Sequence, residues 1–355
     1  MKIIHTSDLH LDSPLTTRLA SDKVRERKRE LLGTMKKIIT EAREMGAAGI
    51  IIAGDLFDND KISRASAENV LSLIASAPDI LFFYLHGNHE KRVLHESGFP
   101  LPENLKLFGD GWTYMKLGDV NIIGRCTTEK DMFSDLIVLP TEKNIVVLHG
   151  ELREHSDMGG VIGTKELADL PIDYLALGHY HSYSAQVVGH KTLAVYPGTP
   201  EGRGFDEAGD KGYVVINTDK YGIYHEFQNS AKRALRIVRV DVGNITRFSE
   251  LQYAVENAVD GISQKDLVRI VFHGQRELDL RIDTDAISAL FSSKFYYFEV
   301  KDTSRVKFSA EDFKNDKSLK GEFIRGVISD TSLTDEQKDD IISLGLSALM
   351  GEELE

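Results

Sequence analysis

The sequence predicts an α/β fold, and two patterns carry that expectation. Short apolar runs alternate with segments of helical periodicity, and each apolar run ends in a polar loop bearing Asp or His. After Ser182 the pattern changes to short strands and turns, so the sheet is expected to become mixed or antiparallel.

Element by element, the chain opens on a strand-like "MKII" followed by "HTSDLHLDSP", which puts Asp8, His10 and Asp12 at every second position. From Val24 to Met45 the apolar residues Leu31, Leu32, Met35, Ile38, Ile39 and Ala42 recur at helical spacing, and Gly46 closes the pattern. The run "AGIIIAGD" reads as a strand buried on both faces. A second helical segment, Ser63 to Ser76, leads into the apolar strand of "ILFFYLHGNHE", and "NIVVLHGE" and "IDYLALGHYHS" repeat the scheme. "QNSAK", at 228–232, reads as a boundary. Beyond it "ALRIVRVDV", a helix over Thr246–Val259, "DLVRIVFHG", a helix near Asp285–Ser292 and "KFYYFEV" suggest a small α/β module. Thr334 and Gln337 have capping-box spacing ahead of "IISLGLSALM", an expected C-terminal amphipathic helix.

Composition bounds the chemistry. With 355 residues, 41% of them hydrophobic, the chain can build a large catalytic domain and a smaller one. No apolar run approaches the roughly 20 residues of a membrane span, and the N-terminus runs straight into a strand, so a soluble, cytoplasmic protein is expected. A single cysteine, Cys126, excludes an internal disulfide and a thiolate metal cage, leaving metal chemistry to His, Asp and Asn. The net charge of −13 argues against coating nucleic acid by bulk attraction, although residues 335–355 alone carry −6 and residues 18–37 carry +5. That basic run reads as a solvated helix face, with a contact surface for a phosphate backbone or a partner as the alternative.

Five apolar strands end in "SDLH", "GDLFD", "GNHE", "LHGE" and "GHYH". In open α/β sheets functional groups gather outside the carboxyl ends of strands, so these loops are expected to converge. A two-residue spacing in extended backbone puts Asp8 and His10 on one side, and likewise His179 and His181. The candidate ligands are Asp8, His10, Asp55, Asn88, His149, His179 and His181, more than one ion needs. If one carboxylate bridges, two ions with about four protein ligands each use them all, the usual device for in-line displacement at phosphorus. Mixed nitrogen and oxygen ligation without thiolate favours two Mn2+ ions, with iron or zinc as alternatives, and disfavours calcium.

The ordered set of five motifs resembles the calcineurin-like metallophosphoesterase superfamily over about residues 1–230. Any one motif is an ordinary turn after a strand, and only the ordered five are specific. The resemblance implies a four-layer αββα sandwich. It implies one ion on Asp8, His10, Asp55 and His181, a second on Asp55, Asn88, His149 and His179, and Asp55 as the bridge. His89 matches the catalytic histidine, placed to protonate or hydrogen-bond the departing oxygen. The implied reaction is in-line attack by a hydroxide shared between the ions, whose coordination pulls the pKa of water down toward about 7.

Within that superfamily, "HTSDLHLDSPL" and "YPGTPEGRGFDEAGDKGYVVI" resemble the DNA-repair exonuclease branch, the SbcD-like and YhaO-like nuclease subunits that work with an SMC-like coiled-coil ATPase. This implies DNA as substrate for a 3′→5′ exonuclease, endonuclease activity being a further option. The implied division is a nuclease domain over 1–232, a capping domain over 233–306 and a C-terminal helical segment over 307–355. That last segment would dock the ATPase, or else pack on the capping domain or form a homodimer. The chain departs from the branch at Glu90, where many members have Asp, and at Asp58, where some have a histidine able to donate to phosphate. It departs from protein phosphatases in lacking an arginine just after "GDLFD". Arg64, Arg92 and Arg203 are candidate substrate contacts, with surface or turn roles as the ordinary reading. His5 and His86 read as structural histidines, and Glu151 and Glu154 as loop acids that could orient His149. The competing functions are a phosphomonoesterase acting on a phosphoprotein or nucleotide, and a non-catalytic scaffold, which the intact ligand set disfavours.

Overall fold

A computed structural model describes residues 1–15, 19–59, 62–90, 94, 98–156, 158–309, 311 and 313–349. The chain divides into two compact units, Met1–Ala234 and Leu235–Glu355.

The first unit is built on two six-stranded mixed sheets. One contains β1 (Lys2–Thr6), β2 (Gly49–Ala53), β3 (Leu81–Leu85) and β4 (Leu105–Leu107) in parallel, with β13 (Gly212–Asp219) antiparallel to β1 and β14 (Gly222–Asn229) antiparallel to β13 at the edge. The other has a parallel centre of β6 (Val120–Gly124), β7 (Lys143–His149), β10 (Tyr174–Gly178) and β12 (Thr192–Tyr196). Its antiparallel edges are β5 (Thr113–Leu117) and β11 (Ser184–Val188). A short parallel pair, β8 (Glu151–Arg153) and β9 (Val161–Gly163), stands apart from both sheets. The change of pattern expected after Ser182 is where the first sheet gains β13 and β14 and the second gains β11, while the second sheet's other antiparallel edge, β5, comes earlier in the chain.

The two-residue strand period explains the layers. Ile3, Ile51, Phe83 and Leu85 face Ile122, Ile145, Val147 and Ala176 in a dry core between the sheets. Their alternates Ile4, Ile50, Ile52 and Phe82 pack instead on helices α1 (Ser21–Glu44) and α2 (Arg64–Ala75), through Leu31, Met35, Ile38, Val70 and Ile74. Strands buried on both faces must read as unbroken apolar runs, as "GIIIA" does. The outer face of the second sheet is covered by short helical turns and loops carrying Met132, Phe133, Leu167 and Ile172. The order is helix, sheet, sheet and a thin helical layer, the expected α/β sandwich. The Ser63 hydroxyl caps α2 by accepting from the Ser66 amide, and α1 ends at Met45 ahead of Gly46, which holds a φ of 67°.

The second unit is a three-stranded parallel sheet of β15 (Leu235–Asp241), β16 (Leu267–His273) and β18 (Tyr297–Asp302). Helices α3 (Phe248–Ala258) and α4 (Thr284–Phe291) make the crossovers and share its core through Leu251, Val255, Ile287 and Phe291. Two further helices, α5 (Leu319–Ser329) and α6 (Asp335–Leu349), bury Ile324, Ile342 and Leu346 with Val306. At the start of α6 both halves of the Thr334–Gln337 capping box form, at 2.9 and 3.2 Å. Among the described residues no helix is long and apolar enough to cross a membrane.

Candidate metal centre

All five motif loops leave the carboxyl ends of strands: β1, β2 and β3 in one sheet, β7 and β10 in the other. The two sheets meet there. The loop after β1 runs alongside the loop after β2, with the amides of Asp8, His10 and Leu11 donating to the carbonyls of Gly54, Asp55 and Leu56 at 2.9–3.0 Å. The His179 amide donates to the Asp8 carboxylate at 3.0 Å, tying the second sheet to the first.

The reason Asp8 and His10 face the same space differs from the strand alternation expected of them. β1 ends at Thr6, and both residues adopt left-handed backbone, at φ 52° and 44°, as do Asp12 at 68° and Asp55 at 50°. His179 also has positive φ, 119°. Asp and His tolerate this region better than most residues, and strain of this kind is held where the surrounding structure over-determines it. The spacing of the acids and imidazole therefore records a chain of kinks, not one face of a strand.

The donor atoms converge. His10 Nε2 lies 3.2 Å from His181 Nε2, 3.7 Å from an Asp55 oxygen and 4.0 Å from an Asp8 oxygen. His149 Nε2 lies 2.9 Å from Asn88 Oδ1 and 3.3 Å from Asp55 Oδ2, so Asp55 stands between the two groups. The His179 ring packs edge-on to His149, with centroids 5.5 Å apart. Asp8, His10, Asp55 and His149 form a buried floor, while Asn88, His89 and His179 are exposed at its rim. Glycines give the approach its clearance: a Cβ on Gly54 would lie 2.2 Å from His149 Nδ1, and one on Gly87 2.0 Å from Asp55 Oδ1.

This donor set fits two divalent ions and little else. His149 Nδ1 is engaged by the Ala53 carbonyl at 2.9 Å, which points its Nε2 at oxygens that are themselves acceptors. Burial opposes a charge on His149, but the Asp55 hydrogen bond and the Asp8 charge outweigh it and push the imidazole up to about 9. Burial alone would raise Asp55, yet its contacts with His149 hold it down to about 2, whereas burial and then the Arg203 charge push His10 down to about 3. The two carboxylates that favour a proton on His149 would favour a cation in its place. Three clusters with metal-holding geometry overlap here: Asp8, His10 and His181; Asp8, Asp55 and His149; and His10, Asp58 and His89.

The calcineurin-like phosphoesterase family model matches residues 1–183, just over half of the chain. The chain belongs to this family. It is 25% identical over 294 residues to the uncharacterized metallophosphoesterase YhaO of Bacillus subtilis, an alignment covering 77% of this phosphoesterase and 72% of that protein. It is 26% identical over 244 residues to the DNA double-strand break repair protein Mre11 of Methanosarcina acetivorans, and 27% over 238 residues to that of Methanosarcina mazei. Each of these covers 63% of this chain, but the chain spans only 38% and 37% of those two relatives' lengths.

Around the floor, the phosphoesterase opens into a cavity of about 620 Å³ lined by Asn88, His149 and His179 on one side and Cys126, Thr128, Arg153 and Gly160 on others. His89 sits at the rim, its amide 3.2 Å from Asp55 Oδ1 and its ring 5.1 Å from that of His10. The buried Glu90 braces the "GDLFD" loop by accepting from the amides of Leu56 and Phe57 at 2.8 and 2.6 Å. His5 is a core residue bonded to the Tyr174 hydroxyl at 3.0 Å, and burial pushes it down to about 3. His86 is buried, with Nδ1 3.2 Å from the Gly87 carbonyl. Glu151 and Glu154 do not orient His149: they pair with Arg153 at 2.8 Å and Lys165 at 2.5 Å, and the Ala53 carbonyl takes the orienting role.

Of the arginines proposed as substrate contacts, Arg64 is 80% exposed on α2, pairs with Glu68 at 2.8 Å and lies over the Phe99 ring. Arg92 lies outside the described residues. Arg203 turns inward, toward Asp58, Glu207 and Ser13, so its donors serve the protein and not a substrate. The residues that sequence reasoning missed are Asp58, as a carboxylate 2.9 Å from His10 Nδ1, and Glu207, as an acceptor for His181 at 2.8 Å. Asp58 was visible in "GDLFD" as an acid three residues past a ligand, whereas nothing local marks Glu207.

Proposed function

We propose that this chain is a dinuclear metal-dependent phosphodiesterase acting on DNA, a 3′→5′ exonuclease with endonuclease activity as a further capability. The observation that carries the phosphodiesterase part is the convergence of Asp8, His10, Asp55, His149 and His181, with Asn88 Oδ1 against His149 Nε2 and the His179 ring beside His149, on one floor next to the exposed His89. Asp8, His10, Asp55 and His181 would hold one ion, and Asp55, Asn88, His149 and His179 the other. Ions held there, manganese in our reading, would supply a water acidified toward neutrality and positive charge against the phosphoryl oxygens. The chain's own residues do the rest. The buried carboxylates and imidazoles fix the geometry, Glu90 pins the loop bearing Asp55, and the His89 imidazole stands where it can donate a proton to a leaving oxygen.

What supports DNA as the substrate is the similarity to repair proteins named Mre11, together with an α/β unit following the phosphoesterase unit. In this reading residues 1–232 are the nuclease domain, residues 233–306 a capping domain that narrows access, and residues 307–355 helices that dock an SMC-like coiled-coil ATPase in the cytoplasm. The test is degradation of linear duplex DNA, single-stranded DNA and a phosphomonoester by the purified chain with Mn2+. We expect DNA cleavage that falls about 10²–10⁴-fold in His89→Ala with metal content unchanged. Monoester hydrolysis with no DNA degradation would instead establish a phosphatase.

A further inference from the structure

Behind His10 and His181 lies a ring of charge that the proposed reaction does not use. His10 Nδ1 lies 2.9 Å from Asp58 Oδ1, and His181 Nδ1 lies 2.8 Å from Glu207 Oε1. Arg203 joins the two carboxylates: one terminal nitrogen donates to Asp58 at 3.0 Å and to Ser13 Oγ at 3.1 Å, and Nε and the other terminal nitrogen donate to Glu207 at 2.9 and 2.5 Å. Arg203 is 12% exposed and Glu207 2%. The loop carrying Arg203 is itself anchored, because the buried Arg27 of α1 bonds Glu201 at 2.9 Å and the Gly202 carbonyl at 2.6 Å.

Donor and acceptor chemistry gives this ring a consequence. An ionised carboxylate only accepts, so the His181 Nδ1 facing Glu207 at 2.8 Å carries the hydrogen and its Nε2 is left with its lone pair, while Asp58 stands 2.9 Å from His10 Nδ1 out of line for a hydrogen bond and acts on that ring through its charge. The Nε2 atoms of the two rings lie 3.2 Å apart, where both can turn a lone pair to one cation once His10 carries its hydrogen on Nδ1. Two carboxylates against one guanidinium leave a net negative charge behind the imidazoles, which makes them stronger ligands. In the other donor group His149 is oriented by a backbone carbonyl, outside this ring.

We propose that Arg203 is a positioning residue for one of the two metal ions: by holding Asp58 and Glu207 it fixes the aim of His10 and His181, and so sets the affinity of that position alone. This rests on the two-ion reading of the site and not on DNA as substrate, since a chain that binds two ions and cleaves only monoesters leaves it standing.

The test is calorimetric titration of the chelator-stripped full chain with Mn2+, with free Mn2+ followed by electron paramagnetic resonance. The wild type should show two binding events. Arg203→Ala should weaken one by about 10–100-fold and leave the other unchanged. Arg203→Lys should recover part of the loss, because an ammonium pairs with one carboxylate where the guanidinium fork holds two. Asp58→Asn and Glu207→Gln should weaken the same event. Removing a positive charge near a cation site would by itself tighten binding, so weakening reports lost positioning. A wild-type or tighter isotherm for Arg203→Ala, or equal weakening of both events in a variant that melts like the wild type, overturns the proposal. If Arg203→Ala does not fold, unchanged binding by Asp58→Asn does so.

Discussion

The sharpest test of the site is a single methyl group. Gly87 lies between β3 and Asn88, a ligand in the proposed two-ion site, and a Cβ there would stand 2.0 Å from Asp55 Oδ1 and 2.6 Å from the Asp55 amide nitrogen. Ordinary contact begins near 3.4 Å, so in Gly87→Ala the carboxylate that stands between the two donor groups must retreat by about 1.4 Å, or the backbone must. Neither is free to yield, because Glu90 holds the amides of Leu56 and Phe57 and Asp55 accepts from the His89 amide. Misplacement by 1 Å typically costs about 10²-fold in rate, and overpacking about 1–3 kcal/mol, well inside the stability of a domain. Gly87→Ala should therefore fold, melt a few degrees lower, lose at least about 10² in kcat/KM on a simple phosphodiester and retain less than its full complement of metal. Elemental analysis after gel filtration, hydrolysis of bis(p-nitrophenyl) phosphate and a melting curve measure the three. Full metal content with activity within about threefold of wild type would refute the reasoning. Gly33→Ala is the control: on α1 a Cβ meets nothing within 4 Å, and the change should be neutral or stabilise by about 0.5–1 kcal/mol.

Other outcomes follow from the same contacts. Arg27→Met removes the cation that the buried Glu30 and Glu201 share, at 2.5 and 2.9 Å, and should cost about 3–5 kcal/mol, read by denaturant unfolding; a loss under 1 kcal/mol would show that the pairing is replaceable. Burial would raise the Glu30 carboxyl, but its bonds to Arg233, Lys232 and Arg27 outweigh this and hold it down to about 2, below its ordinary 4.5. Its contribution to stability is then complete above pH 4.5 and is lost as pH falls toward 2, so Glu30→Gln should flatten the acid limb of a stability-against-pH curve. Stripping metal should lower the melting temperature and Mn2+ should restore it, by about 2.7 kcal/mol per ion at a hundredfold excess over its Kd; Ca2+ should do less, since four of the seven donors are imidazoles.

The sequence by itself determined the alternation of helix and strand and the loops that carry chemistry, and it marked the acids and imidazoles that those loops bring near one another. These are legible because hydrophobic period and residue type are local: "GIIIA" must be buried on both faces, and each motif lies in the loop that follows such a run. Even so, the local argument for pairing Asp8 with His10 was mistaken in its reason, since left-handed backbone and not strand alternation aims them. Only the tertiary structure decided what stands behind the donors. Asp58 and Arg203 are 145 residues apart and His181 and Glu207 lie on opposite sides of β11 and β12, so no periodicity connects them. It also turned Arg203 from a substrate contact into part of the frame, and gave the orientation of His149 to the Ala53 carbonyl rather than to the acids beside it in sequence. An ion pair or a hydrogen bond acts over a few ångströms of space, and which charges come within that distance is set by how the two sheets close on one another.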